Sequence, residues 1–172
     1  MAPATRTALV AALVLPCLGV HAQAAQAAPV LTLLSNLLVV TVAPTVTLSG
    51  SGLTRTGTLG STTVLDGRLG ATGYAVSFST SGFDLVGAIS STSATHIAPS
   101  AMTVRNTAVG GGTVDSTSAV TLPSASPVFR VTYGAAVLSL DVASSYTASV
   151  TLTVPAGAAD GLYTGTVTQT VA

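Results

Sequence analysis

Between Tyr146 and Val154 the chain alternates residue by residue. Tyr146, Ala148, Val150, Leu152 and Val154 occupy one parity, and Thr147, Ser149, Thr151 and Thr153 the other. Successive side chains of a β-strand point to opposite faces, so the pattern makes one apolar and one hydroxyl face. Pro155-Ala156-Gly157-Ala158-Ala159-Asp160-Gly161 then interrupts it with turn-forming residues. A second strand is predicted from Leu162 to Val171. Here Tyr163, Gly165, Val167, Gln169 and Val171 share one parity, and Thr164, Thr166, Thr168 and Thr170 the other. The two strands are expected to be neighbours in one antiparallel sheet or to face each other across a core.

The rest of the chain repeats the theme. Gly73–Ser79 alternates with Tyr74, Val76 and Phe78 on one side, and Phe83–Val86 reads as a short strand. Further strands are predicted at 30–34, 37–42, 45–48, 55–65, 102–105, 128–132 and 137–140. The stretch from Gly87 to Pro127 is expected to be rich in loops, with Gly110-Gly111-Gly112 at a tip. No window sustains a period near 3.6, and Lys and Glu, which favour helices, are absent. The prediction is an all-β fold: an antiparallel β-sandwich of about nine to eleven short strands.

The first 27 residues read differently. Arg6 and the free amine give a positive start, Thr7–Val20 is an uncharged apolar run, and small residues follow through Ala28. This is the pattern of a cleaved secretory signal peptide, with the cut expected after Ala27 and Ala24 as the second site. The run is shorter than the roughly 20 residues a spanning helix requires, and Pro16 interrupts it. The expected organisation is a leader over 1–27 and a single β-sandwich domain over 28–172. No later stretch is apolar enough for a membrane span, so the mature protein is expected outside the cell or on its surface. Cys17, the only cysteine, lies in the leader. The mature chain therefore has no disulfide, thiolate metal site or cysteine nucleophile.

Residues suited to chemistry are sparse. Charged residues make up 6% of the chain, with formal net charge +0, and no basic run is present, which argues against nucleic-acid binding. His96 is the one histidine of the mature chain; with many serines nearby, a Ser-His-Asp arrangement has no specific support, and no Gly-x-Ser-x-Gly elbow occurs. Asp66, Asp84, Asp115, Asp141 and Asp160 are scattered singly, without the spacing of a calcium loop. Asp66-Gly67 and Asp160-Gly161 read as turns. Threonine ranks such as Thr54-x-Thr56-x-Thr58 read as solvent faces of strands. Arg55, Arg68, Arg105 and Arg130 are expected to guard sheet edges against pairing with other chains. No catalytic residue, cofactor or metal site is predicted; a hydrolase is the remote alternative.

The closing Ala148-Ser-Val-Thr-Leu-Thr-Val-Pro-Ala-Gly157 and Gly161-Leu-Tyr-Thr-Gly-Thr-Val-Thr-Gln-Thr-Val-Ala172 resemble the end of WxL-domain surface proteins. Thr58-Leu-Gly-Ser-Thr-Thr-Val-Leu-Asp-Gly-Arg68, leading into Gly73-Tyr-Ala-Val-Ser-Phe-Ser79, is similar too. The resemblance covers the last 25 or so residues more closely than the rest. It implies a secreted Gram-positive β-rich protein held non-covalently at the cell wall, with peptidoglycan or other surface proteins as partners. It places Tyr74, Tyr163, Gln169 and Val171 at candidate wall-binding positions. The family's paired Trp-x-Leu motifs are missing, because the chain has no Trp; in this it resembles Trp-poor variants from actinobacteria. The alternative function is a structural subunit of a surface assembly, such as a fimbria or an S-layer-like array.

Overall fold

A computed structural model of the full 172-residue chain describes residues 6–16, 38–42, 45–68, 70–124, 126–134 and 142–172. For 6–16 and Thr45 it describes the backbone alone. The predicted strands at 30–34 and 137–140, the cleavage sites, Cys17 and Asp141 lie outside the described residues.

Twelve strands are described, with one short 3-10 turn at Pro99–Ala101 and no α-helix. In chain order they are β1 (Arg6–Pro16), β2 (Leu38–Thr41), β3 (Thr45–Thr47), β4 (Thr54–Asp66), β5 (Gly73–Leu85), β6 (His96–Ile97), β7 (Met102–Gly110), β8 (Thr113–Val114), β9 (Val120–Thr121), β10 (Phe129–Thr132), β11 (Val142–Thr153) and β12 (Leu162–Val171). The first sheet runs β3-β1-β12-β5-β10-β8, with β6 also paired to β5. The second runs β2-β4-β11-β7-β9. All pairs are antiparallel except β1 with β3. The protein is an all-β, sandwich-like fold, as the alternation predicts.

The strands expected at Tyr146–Val154 and Leu162–Val171 take the second of their two expected arrangements. β11 and β12 belong to different sheets and face each other across the core. Tyr146, Ala148, Val150, Leu152 and Val154 are buried, as are Tyr163, Val167, Gln169 and Val171. Complete burial of a side chain the size of Val or Leu contributes about 1.5–3 kcal/mol relative to exposure. The core therefore rests on many modest contributions.

Two single-residue bulges decide which side chains enter that core. On β4, Leu59 and Gly60 together oppose Ala148 of β11. Gly60 has φ +75°, a left-handed geometry that glycine adopts without a Cβ clash. Before the bulge Arg55 and Leu59 point inward; after it Thr62, Val64 and Asp66 do. On β5, Ser81 and Gly82 oppose Thr166 of β12. This bulge joins the two strands predicted at 73–79 and 83–86 into one, and turns Phe83 inward as Tyr74, Val76 and Phe78 are.

The Gly110–Gly112 tip carries the chain from β7 in the second sheet to β8 in the first. The loop-rich stretch also contains β6, β8 and β9, each of two residues. Leu38–Thr41 and Thr45–Thr47 likewise belong to opposite sheets, so this segment links them. Arg6–Pro16, read from the sequence as part of the leader, lies between β3 and β12.

Candidate functional site

The densest polar constellation closes one end of the sandwich, where β4 ends, β5 begins and β12 ends. Asp66 is fully buried there. Its Oδ1 accepts hydrogen bonds from Arg68 Nε at 2.8 Å and Arg68 N at 3.1 Å. Its Oδ2 accepts from Arg68 Nη2 at 2.8 Å and from Tyr133 OH at 3.0 Å. Arg68 Nη2 also donates to the Gly73 carbonyl at 3.0 Å, tying β4 to the start of β5. Beside this group Ser144 Oγ donates to Tyr74 OH at 3.0 Å, and the rings of Tyr74 and Tyr133 lie 6.0 Å apart.

Burial alone would raise the Asp66 pKa. The hydrogen bonds from Arg68 and Tyr133, with the guanidinium charge, outweigh it and hold the carboxyl below its ordinary value. The carboxylate in turn raises Arg68. Burial, then the hydrogen bond to Asp66, raises Tyr133. Tyr74 is raised chiefly by burial, against the opposing bond from Ser144. The arrangement fixes a charged pair and two neutral phenols; its carboxylate oxygens already hold four donors. Arg130, Thr72 and Ala172 help line a shallow depression at the same end.

A second buried polar group adjoins the first between the sheets, the rings of Tyr74 and Tyr146 lying 6.2 Å apart. Gln169 Nε2 donates to Thr62 Oγ1 at 3.2 Å and to Tyr146 OH. Burial raises Tyr146. Gln169 comes from one sheet, Thr62 and Tyr146 from the other.

At the opposite end His96 Nδ1 lies 2.7 Å from Asp84 Oδ1, on the paired strands β6 and β5. The His96 side chain is 28% exposed and that of Asp84 65%. Among the described residues no serine or threonine hydroxyl bonds the imidazole. No group of three or more His, Cys, Asp or Glu able to hold a metal ion occurs among the described residues. None of their helices is long and apolar enough to cross a membrane.

The four positions suggested by family resemblance are all interior: Tyr74 is 4% exposed, Tyr163 0%, Gln169 6% and Val171 1%. Tyr74 belongs to the Asp66 corner and Gln169 to the core amide group. Tyr163 OH donates to the carbonyls of Ala94 at 2.7 Å and Ala159 at 3.0 Å, at the far end. Val171 lies opposite Val76. They form no shared surface, and their contacts hold the sandwich together.

The arginines divide. Arg105 and Arg130 project outward from strands whose outer neighbours are only two residues long, the position expected of edge guards. Arg55 is instead buried, its Nη1 donating to the carbonyls of Gly52 at 2.7 Å and Thr54 at 3.1 Å. Arg68 is committed to Asp66. The sequence reading missed the Asp66–Arg68–Tyr133 cluster. Its one local sign is the Asp-Gly-Arg spacing, which read as a turn; the Asx-type bond from Arg68 N is indeed present.

The class defined by these features is an all-β, sandwich-like domain with polar groups buried between its sheets. No protein-family model, curated protein or solved structure matches the chain.

Proposed function

We propose that the chain is a non-enzymatic, exported β-sandwich protein of the bacterial cell surface. The observation that carries this reading is the sequence order: a three-part leader over residues 1–27, then strands with apolar inner and hydroxyl outer faces. Threonine and serine keep such strands hydrated with little charge. Once Arg6 leaves with the leader, four Arg stand against five Asp. Retention at the wall is non-covalent in this reading, with exposed threonine ranks as the contact surface. The buried Tyr74, Tyr163, Gln169 and Val171 do not supply it.

Fractionation of the native host tests export. The expected product is a chain beginning at Ala28 in the wall fraction or the medium, identified by intact mass. An uncleaved, cytoplasmic chain refutes it. Sedimentation with purified peptidoglycan tests retention separately; no co-sedimentation removes the wall from the proposal and leaves export standing.

A further inference from the structure

β1 occupies an unusual place. It pairs antiparallel with β12 from Arg6–Val171 to Pro16–Leu162, and parallel with β3 through Ala12, Leu13 and Val14. It is thus an interior strand of the first sheet, made of residues that the leader reading removes. Loss of Arg6–Pro16 would leave β12, ten residues long, with an unpaired edge. A row of free N–H and C=O groups roughly 33 Å long would await a partner.

We infer that, in the exported chain, this slot accepts residues 28–37 of a second copy. The inference rests on removal of the leader. The segment has the composition for it. Leu31, Leu33 and Leu37 share one parity, and the stretch carries no charged side chain. Its ten residues match β12 in length. Such strand addition draws affinity from main-chain bonds and specificity from alternate side chains.

An occupant that runs antiparallel to β12, as β1 does, must come from a second copy. Leu38 begins β2 opposite Asp66. Asp66 is tied through Arg68 to Gly73, and Ala75 exchanges hydrogen bonds with Ala172. Leu38 and the end of β12 therefore lie at the same end of the sandwich. A strand running as β1 does enters at that end and leaves at Leu162, roughly 30 Å away. Residue 37 must stay about 3.8 Å from Leu38 in its own chain. A segment in its own slot could therefore not run in β1's direction; one from another copy can.

The donor's body then abuts the Leu162 end of the acceptor. Leu53, Val86 and Ile89, three of the four large apolar residues exposed among the described residues, lie at that end. Val86 N donates to Leu162 O, Leu53 O accepts from Val154 N, and Ile89 follows in the same loop as Val86. The contact is head-to-tail, and such contacts propagate as filaments unless their rotation closes a ring.

The test uses the chain from Ala28 to Ala172. Its weight-average mass by light scattering should rise at least about two-fold as concentration increases across two decades. Leu33→Pro, which removes a donor N–H from the segment, should remain monomeric, with β12 amides exchanging at least about ten-fold faster. A synthetic peptide of residues 28–37, added in excess to the unsubstituted chain, should cap it as a one-to-one complex. This arm needs no variant to fold. A monomer at every concentration with β12 protected overturns the inference, because the slot is then filled from within. Oligomers that ignore both the proline and the peptide overturn it too. Intact mass of the exported chain is read independently: retention of residues 1–27 sinks the export reading, whereas a cleaved but monomeric chain sinks only strand exchange.

Discussion

Replacing Asp66 with Asn removes one charge from the most heavily bonded group of the structure while nearly preserving its shape. The carboxylate accepts four hydrogen bonds, three of them from Arg68. An Asn amide keeps one acceptor oxygen and turns N–H groups toward donors. Breaking a buried ion pair by deleting one partner typically costs about 3–5 kcal/mol. Arg68 is 35% exposed on its side chain and can recover hydration, which reduces the expected loss to about 2–3 kcal/mol at pH 7. With a urea dependence of about 2 kcal/mol per molar, the unfolding midpoint should fall by about 1–1.5 M. The effect should also depend on pH in a fixed direction. Because folding lowers the Asp66 pKa from its ordinary 3.8, its contribution is complete above that value. It disappears as pH falls through the lower folded value. The gap between wild type and D66N should therefore be constant near neutrality and narrow below about pH 3.8. A midpoint change smaller than about 0.3 M, or a gap unchanged in acid, would refute the corner's role as a charged anchor.

Three more substitutions probe other parts of the fold. Gln169→Ala should cost about 2–4 kcal/mol in chemical denaturation, because it leaves the Tyr146 and Thr62 hydroxyls without their amide and opens a cavity between the sheets. Gly82→Ala should destabilise by more than about 1 kcal/mol in the same assay. At φ +101° the added Cβ would stand 2.5 Å from the Ile97 carbonyl oxygen; an unchanged midpoint would show that the bulge can relax. His96→Ala should lie within about 1 kcal/mol of wild type, since it removes one largely exposed side-chain hydrogen bond, to Asp84. A larger loss by thermal unfolding would assign the His96–Asp84 pair more than its exposure allows.

The strands were the most legible part of the sequence, because a period of two is dictated by backbone geometry and needs no partner to be visible. Leu162–Val171 emerges at its predicted bounds. Pairing was less legible: β11 and β12 follow each other across a turn, yet local sequence could not decide between one sheet and two. The polar clusters were the least legible. Thr62 and Asp66 face inward only because Gly60 adds a residue to β4, and a single bulge inverts every assignment beyond it. Asp66 and Tyr133 are far apart in the chain, so their bond exists only through the fold. The burial of Tyr74 and Gln169 was implied by their parity with apolar neighbours, a stronger signal than the motif positions they resembled.

The amide of Gln169 has a consequence for a sandwich built from so few residue types. Strands composed largely of Val, Thr, Ser and Ala look much the same after a shift of two residues, so apolar burial alone distinguishes poorly between alternative alignments of the sheets. Gln169 meets Thr62 and Tyr146 in only one of them. In any other, an amide and two hydroxyls would be stranded in the core, each at about 1–3 kcal/mol. This side chain acts as a locating pin: it gives a repetitive chain one reading frame in three dimensions, where its own sequence supplies several.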